Sequence, residues 1–231
     1  MARRGVTCTA AELLVTTGSQ QGLDLLLRVM VAPGDVVLTE QPAYPATLSA
    51  MRLHQARIVT IPVDGAGLDF DRLGTLLASG TIGQPKLLYT VRTFANPTGA
   101  TFTRERRLKL LRLAVQYRFL IVEDDPYGDL RFAVEAVPSM LALASEVDGA
   151  RDWIVHFASL PKIVAPGLRV GWTIAPAEIA RRYVIAKQTR LRAGQGVLRG
   201  QRRRRIAAPV VDVIRQRVAC LVCAYGAALA A

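Results

Sequence analysis

The run Phe119-Leu120-Ile121-Val122 is apolar at every position and breaks off into Glu123-Asp124-Asp125. A strand apolar on both faces has to be covered on both, which places it at the centre of a parallel sheet packed between helices. Carboxylates at the carboxyl end of such a strand stand where open α/β sheets bind their ligands. The rest of the chain repeats the theme, with apolar, β-branched runs alternating with helical patterns as in successive βα units. Strands are expected near 13–17, 35–40, 56–63, 85–91, 119–124, 153–159 and 168–174, and helices near 19–31, 45–54, 69–79, 103–117 and 176–188. The expected fold is α/β, a three-layer sandwich around a mostly parallel sheet of about seven strands.

Composition narrows the class. With 231 residues, 51% of them hydrophobic, the chain has material for one substantial core, and two domains would be cramped. Residues 1–189 carry 21 Lys and Arg against 17 Asp and Glu, and residues 190–231 carry 9 against 1, so two thirds of the net +12 lies in the last 42 residues. The body is only mildly basic, and no nucleic-acid footprint follows from the total. Residues 1–189 are read as one domain, and 190–231 as a separate basic and then apolar tail. The fourteen residues from Val218 to Ala231 fall short of the roughly 20 that a membrane span needs, so no membrane partner is expected. Met1 to Cys8 leads into no long apolar stretch, and a cytoplasmic location is expected. Cys8 and the Cys220-x-x-Cys223 pair form neither a disulfide framework nor a four-ligand zinc site, so no metal is expected.

Lys162 is the candidate nucleophile. It follows the apolar run Trp153-Ile154-Val155-His156-Phe157 and lies within Ser159-Leu160-Pro161-Lys162-Ile163-Val164-Ala165-Pro166-Gly167-Leu168-Arg169. A lysine where a strand ends and an apolar loop begins is poorly hydrated, so its ammonium form is disfavoured and a nucleophilic amine becomes available. That is the requirement for a Schiff base with a carbonyl. Three other segments stand at strand ends: Thr17-Gly18-Ser19-Gln20-Gln21, Asn96-Pro97-Thr98-Gly99 and Asp124-Asp125-Pro126-Tyr127. The first opens a helix whose free N–H groups and dipole suit a phosphate, although Ser19 there could equally be an ordinary N-cap. The second is also common turn chemistry.

Taken together and in this order, the segments resemble the fold type I aminotransferases that use pyridoxal 5'-phosphate (PLP). The resemblance is to the branch of aminoadipate and kynurenine aminotransferases and the aminotransferase-like half of MocR-type regulators. It implies the large PLP-binding domain of that family, amino acid and 2-oxo acid substrates, and a homodimer. It further implies that Gly18, Ser19 and Gln20 hold the cofactor phosphate together with Ser159 and Arg169, whose planar fork suits that group. By the same resemblance Tyr44, after the strand Asp35–Glu40, stacks on the pyridine ring, although an aromatic there could also help cover the core. Asn96 and Tyr127 would bond the phenolic oxygen. Asp124 would keep the ring nitrogen protonated, with Asp125 as competitor. Strand alternation favours Asp124 by sending its neighbour to the opposite face. Lys162 would attach the cofactor and act as general base and acid in proton transfer at the substrate α-carbon.

Some positions depart from the family pattern. Arg92 stands where proline is usual, Ala95 where a polar residue is usual, and Pro161 where a serine or threonine precedes the lysine. His54 and His156 have no catalytic partner by spacing and are read as structural. The resemblance fades near Ala186-Lys187-Gln188, and the family's smaller C-terminal domain is not recognised beyond it. The expectation is a fragment with transaminase activity impaired by truncation. The alternatives are a PLP-binding effector remnant of a MocR-type regulator or a gene fragment without function.

Overall fold

The computed structural model describes residues 6–128, 136–159 and 170–197, with side chains described as far as Thr189. Its strands are β1 (Leu13–Thr16), β2 (Val36–Gln41), β3 (Arg57–Asp64), β4 (Gly67–Leu68), β5 (Pro85–Val91), β6 (Leu120–Asp125), β7 (Ile154–Ser159) and β8 (Gly171–Ile174). The helices are α1 (Ser19–Met30), α2 (Pro45–Leu53), α3 (Phe70–Ser79), α4 (Arg104–Tyr117), α5 (Met140–Leu143) and α6 (Ala177–Val197). All eight strands join one sheet in the order β1-β8-β7-β6-β5-β2-β3-β4. The pairs β7/β6, β6/β5, β5/β2 and β2/β3 are parallel, while β8 runs antiparallel to both β1 and β7.

The seven expected strands are all present, most of them shifted by a single residue. The eighth, β4, makes a two-residue antiparallel pair with β3 and is too short to leave a periodic signal. The four-residue α5 leaves none for the same reason. The last described helix continues past the expected end at 188 to Val197. Leu191, Arg192, Ala193 and Gln195 are good helix formers, and Gly194 and Gly196 cost about 1 kcal/mol each without stopping it.

Two apolar layers flank the sheet. One unites Leu38, Leu88 and Ile121 with Phe70, Leu73 and Leu77 of α3, Leu108, Leu110 and Leu111 of α4, and Met140 of α5. The other unites Val37, Leu87, Val122 and Phe157 with Leu23, Leu25, Leu26 and Leu27 of α1, Met51 of α2, and Ile179 and Tyr183 of α6. Ile121 and Val122 are both 0% exposed and belong to opposite layers, as a doubly covered central strand demands. Gly22 lets α1 lie close on the sheet, since a Cβ there would sit 2.9 Å from Thr173 Oγ1. The Tyr183 hydroxyl donates to the Gly22 carbonyl at 2.9 Å and ties α6 to α1.

Candidate functional site

The parallel strands deliver Gln41, Val91, Asp125 and Ser159 to one edge of the sheet, where β2, β5, β6 and β7 end. Asp124, one residue short of that edge, pairs in register with Val91 of β5 and Phe157 of β7. Its side chain enters the α1 layer, where the Tyr89 hydroxyl donates to Oδ2 at 2.5 Å. Oδ1 is buried and has no hydrogen-bond partner among the described residues. Burial pushes the Asp124 carboxyl up to about 6, against the lowering effect of the Tyr89 hydrogen bond and of Arg92. Asp125 is also buried, and strand alternation turns it toward the layer that holds Glu123.

Glu123 does structural work in that second layer. It accepts from the backbone N–H groups of Met140 at 2.6 Å and Leu141 at 3.1 Å, so a strand carboxylate caps α5. The His156 Nδ1 lies 2.8 Å from Glu123 Oε2, and the Arg92 Nε lies 3.0 Å from Oε1. Burial alone would raise this carboxyl, but Arg92 and His156 pull it well below the usual carboxylate range. Arg92, the departure from proline, has thus become the counter-ion of a buried carboxylate. The expected structural role of His156 agrees with this contact, and His54 pairs similarly with Asp24 at 3.2 Å.

The starts of α1 and α2 lack the side-chain caps that begin α3 and α4. Asp69 caps α3 through Asp71 N and Arg72 N, and Thr103 caps α4 through Arg106 N. Gly18, at the cap position of α1 with φ 87°, supplies no side-chain cap, and the first turn contains no acidic residue. The N–H groups of that turn thus present an unopposed positive dipole end. Thr17 N donates to Gln21 Oε1 at 2.9 Å, and Gln20 Nε2 reaches the Ala46 carbonyl at 3.3 Å. Ser19 is the first helical residue and is half-buried. Gly171 pairs in register with Thr16 of β1 on one side and with Ser159 of β7 on the other. The buried Ser159 is thereby brought to the α1 N-terminus.

Asn96 and Tyr127 both line an open surface depression of about 380 Å³, together with Phe94, Ala95, Pro97 and Gly99. The turn that carries Asn96 is held by Ala95 N donating to the Ala100 carbonyl at 3.0 Å and by Phe94 N donating to Thr101 Oγ1 at 3.1 Å. Tyr44 is 47% exposed at the cap of α2, so it does not serve as core filling. Lys162 and Arg169 lie outside the described residues. The chain's three other lysines are engaged elsewhere: Lys187 Nζ donates to the Val15 carbonyl at 2.6 Å, Lys86 lies 3.8 Å from Asp35, and Lys109 lies 4.0 Å from Asp71.

Sequence reasoning does not find Tyr89 and Thr47. Each reads as a core or helix residue, and only the pairing of β5 with β6 reveals that Tyr89 reaches Asp124.

Residues 2–196 match the family described as Aminotransferase class I and II. The chain belongs to this family. The aromatic-amino-acid aminotransferase 1 of Thermococcus litoralis is 39% identical over 191 residues, which are 81% of this aminotransferase-family chain and 44% of that protein. The HTH-type transcriptional regulator TauR of Rhodobacter capsulatus is 36% identical over 196 residues, covering 85% of this chain and 38% of TauR. Among solved structures, the α-aminoadipate aminotransferase LysN from Thermus thermophilus, complexed with N-(5'-phosphopyridoxyl)-L-leucine, superposes with a TM-score of 0.72 at 36% identity. That superposition covers 78% of this chain and 45% of LysN. The chain therefore spans less than half the length of these relatives.

The cofactor indicated by the family and its solved members is pyridoxal 5'-phosphate. The described residues fit it. A buried carboxylate oxygen without a donor among the described residues suits a protonated ring nitrogen, an uncapped helix start suits a phosphate, and an amide and a phenol lining one open depression suit a phenolic oxygen. No described helix is long and apolar enough to cross a membrane, and the described residues contain no cluster of metal-ligating side chains.

Proposed function

We propose that this chain is the PLP-binding part of an aminotransferase that moves an amino group between an amino acid and a 2-oxo acid. The observation that carries the reading is Asp124 Oδ1, an acceptor buried without a partner among the described residues, at the ligand-bearing edge of the sheet. Bound there, the cofactor would supply an electron sink for the pair released at the substrate α-carbon.

The chain's own residues divide the remaining tasks. Asp124 holds the proton on the ring nitrogen. Asn96 and Tyr127 bond the phenolic oxygen. Gly18, Ser19, Gln20 and Ser159 cradle the phosphate at the start of α1, with Arg169 as its counter-ion. Tyr44 lies over the ring face. Lys162 provides the amine for covalent attachment and moves the proton at the α-carbon. Residues 1–189 form the cofactor domain in this proposal, and 190–231 lie outside it. The whole protein's amino donor and acceptor, its pairing into a homodimer and its cytoplasmic location belong to the same proposal.

Borohydride trapping followed by peptide mapping tests it. The expected outcome is a pyridoxyl group on Lys162 that vanishes in Lys162→Ala. A pyridoxyl group on Lys86 or Lys187 would overturn the assignment.

The similarity to TauR supports a second reading, a PLP-dependent sensor of an amine. Half-transamination separates the two. An aminotransferase converts its bound cofactor to the amine form with a panel of amino acids, whereas a sensor binds without conversion. Single-turnover conversion of the bound cofactor is the readout, since that half-reaction needs an amino acid and no 2-oxo acid.

A further inference from the structure

Asp124 is held by more than its strand. Tyr89 lies on β5 opposite Val122, while Val91 lies opposite Asp124, so the two side chains are diagonal neighbours on one face. A tyrosine is long enough to span that diagonal. Its ring packs in the α1 layer and is 4% exposed. The side chain of Thr47 on α2, which is 1% exposed, lies beside the phenol. Tyr89, with Thr47 beside it, thus ties β5 to Oδ2 of Asp124 on β6. Among the described residues, the other carboxylate oxygen, Oδ1, has no partner.

We propose that Tyr89 is a positioning residue for the cofactor, its hydroxyl gripping Oδ2 of Asp124 so that the carboxylate plane is set and Oδ1 is presented to the ring nitrogen. The inference rests on the reading of Asp124 given above. The carboxylate torsion of an aspartate is broad and two-fold, so without a second contact the group could turn either oxygen or neither toward a ligand. A hydrogen bond to one oxygen removes that freedom. Burial and the neighbouring Asp124 keep the phenol protonated, so it serves as a constant donor. A phenylalanine would supply the same ring to the core, which leaves the hydroxyl as the functional difference.

The test is the binding of two probes to the 231-residue chain, PLP and its 1-deaza analogue, in which C–H replaces the ring nitrogen. The wild-type chain should prefer PLP. Tyr89→Phe should bind PLP about tenfold more weakly, the scale of one hydrogen bond to a charged group. Its affinity for the deaza analogue and the melting temperature of the cofactor-free chain should stay close to wild type. Equal losses for both probes would mark Tyr89 as merely structural and overturn the proposal, as would an undiminished preference for PLP.

Thr47→Val, nearly isosteric, should shift the preference in the same direction by a smaller factor. If Tyr89→Phe fails to fold, an unchanged preference in Thr47→Val overturns the proposal and a reduced one supports it. A wild-type chain without preference between the probes would sink the reading of Asp124 and this proposal with it. A wild-type preference retained in full by both variants would remove only the role of Tyr89.

Discussion

A Cβ on Gly171 would lie 2.8 Å from the Gly18 Cα and 2.9 Å from its carbonyl carbon. The start of β8 and the turn into α1 touch backbone to backbone, and no side chain fits between them. Gly171→Ala is therefore expected to push the α1 N-terminus off the sheet. The cost is that of overpacking, about 1–3 kcal/mol. Urea denaturation should show that loss, and PLP affinity should fall more than it does in Gly74→Ala, where the added methyl meets no described residue beyond its own stretch of α3.

Asp124 and Asp125 are adjacent, both buried, and turned to opposite layers. Asp124→Asn should lower PLP affinity about tenfold or more, as loss of a charge-assisted bond requires. Asp125→Asn should change that affinity little. Fluorescence titration of the two variants decides between them, and equal losses would leave the assignment of Asp124 unsupported.

Glu123 should control stability rather than cofactor binding. Glu123→Ala uncaps α5 and leaves the Arg92 guanidinium buried without its counter-ion. Breaking a buried pair in this way typically costs about 3–5 kcal/mol. Chemical denaturation of the cofactor-free chain should register a loss on that scale, whereas Asp124→Asn should not.

Glu40 gives the fold an unfavourable dependence on rising pH. It accepts from Thr90 Oγ1 at 2.5 Å, and burial pushes its carboxyl from 4.5 to about 7 despite that bond and the nearby Val91 N–H. Because the folded value exceeds the unfolded one, the native state holds more protons between about 4.5 and about 7. This group's contribution to stability thus falls as pH rises through that window and stays lost above it. Glu40→Gln should gain on wild type between about pH 4.5 and about pH 8 by on the order of 3 kcal/mol, at about 1.4 kcal/mol per unit. Denaturation midpoints of both proteins across that range provide the check, and parallel profiles would refute it.

The alternation of apolar strands with helical patterns was legible in the residues themselves. A buried parallel strand shows a continuous apolar run and a surface helix shows a stripe, and both are local properties. The strand-end motifs were legible for the same reason, since Gly18-Ser19, Asn96-Pro97 and Asp124-x-x-Tyr127 are each contiguous. What depended on which strands lie side by side was not. Tyr89 reaches Asp124 because β5 pairs with β6, Ser159 meets the α1 N-terminus because β8 returns antiparallel between β7 and β1, and Arg92, just past the end of β5, finds Glu123 on β6. Contacts between residues about 30 or more positions apart depend on sheet order and register, so the sequence by itself determined the main strands and helices and the residue types at their ends, while the tertiary structure alone decided which buried groups share a hydrogen bond.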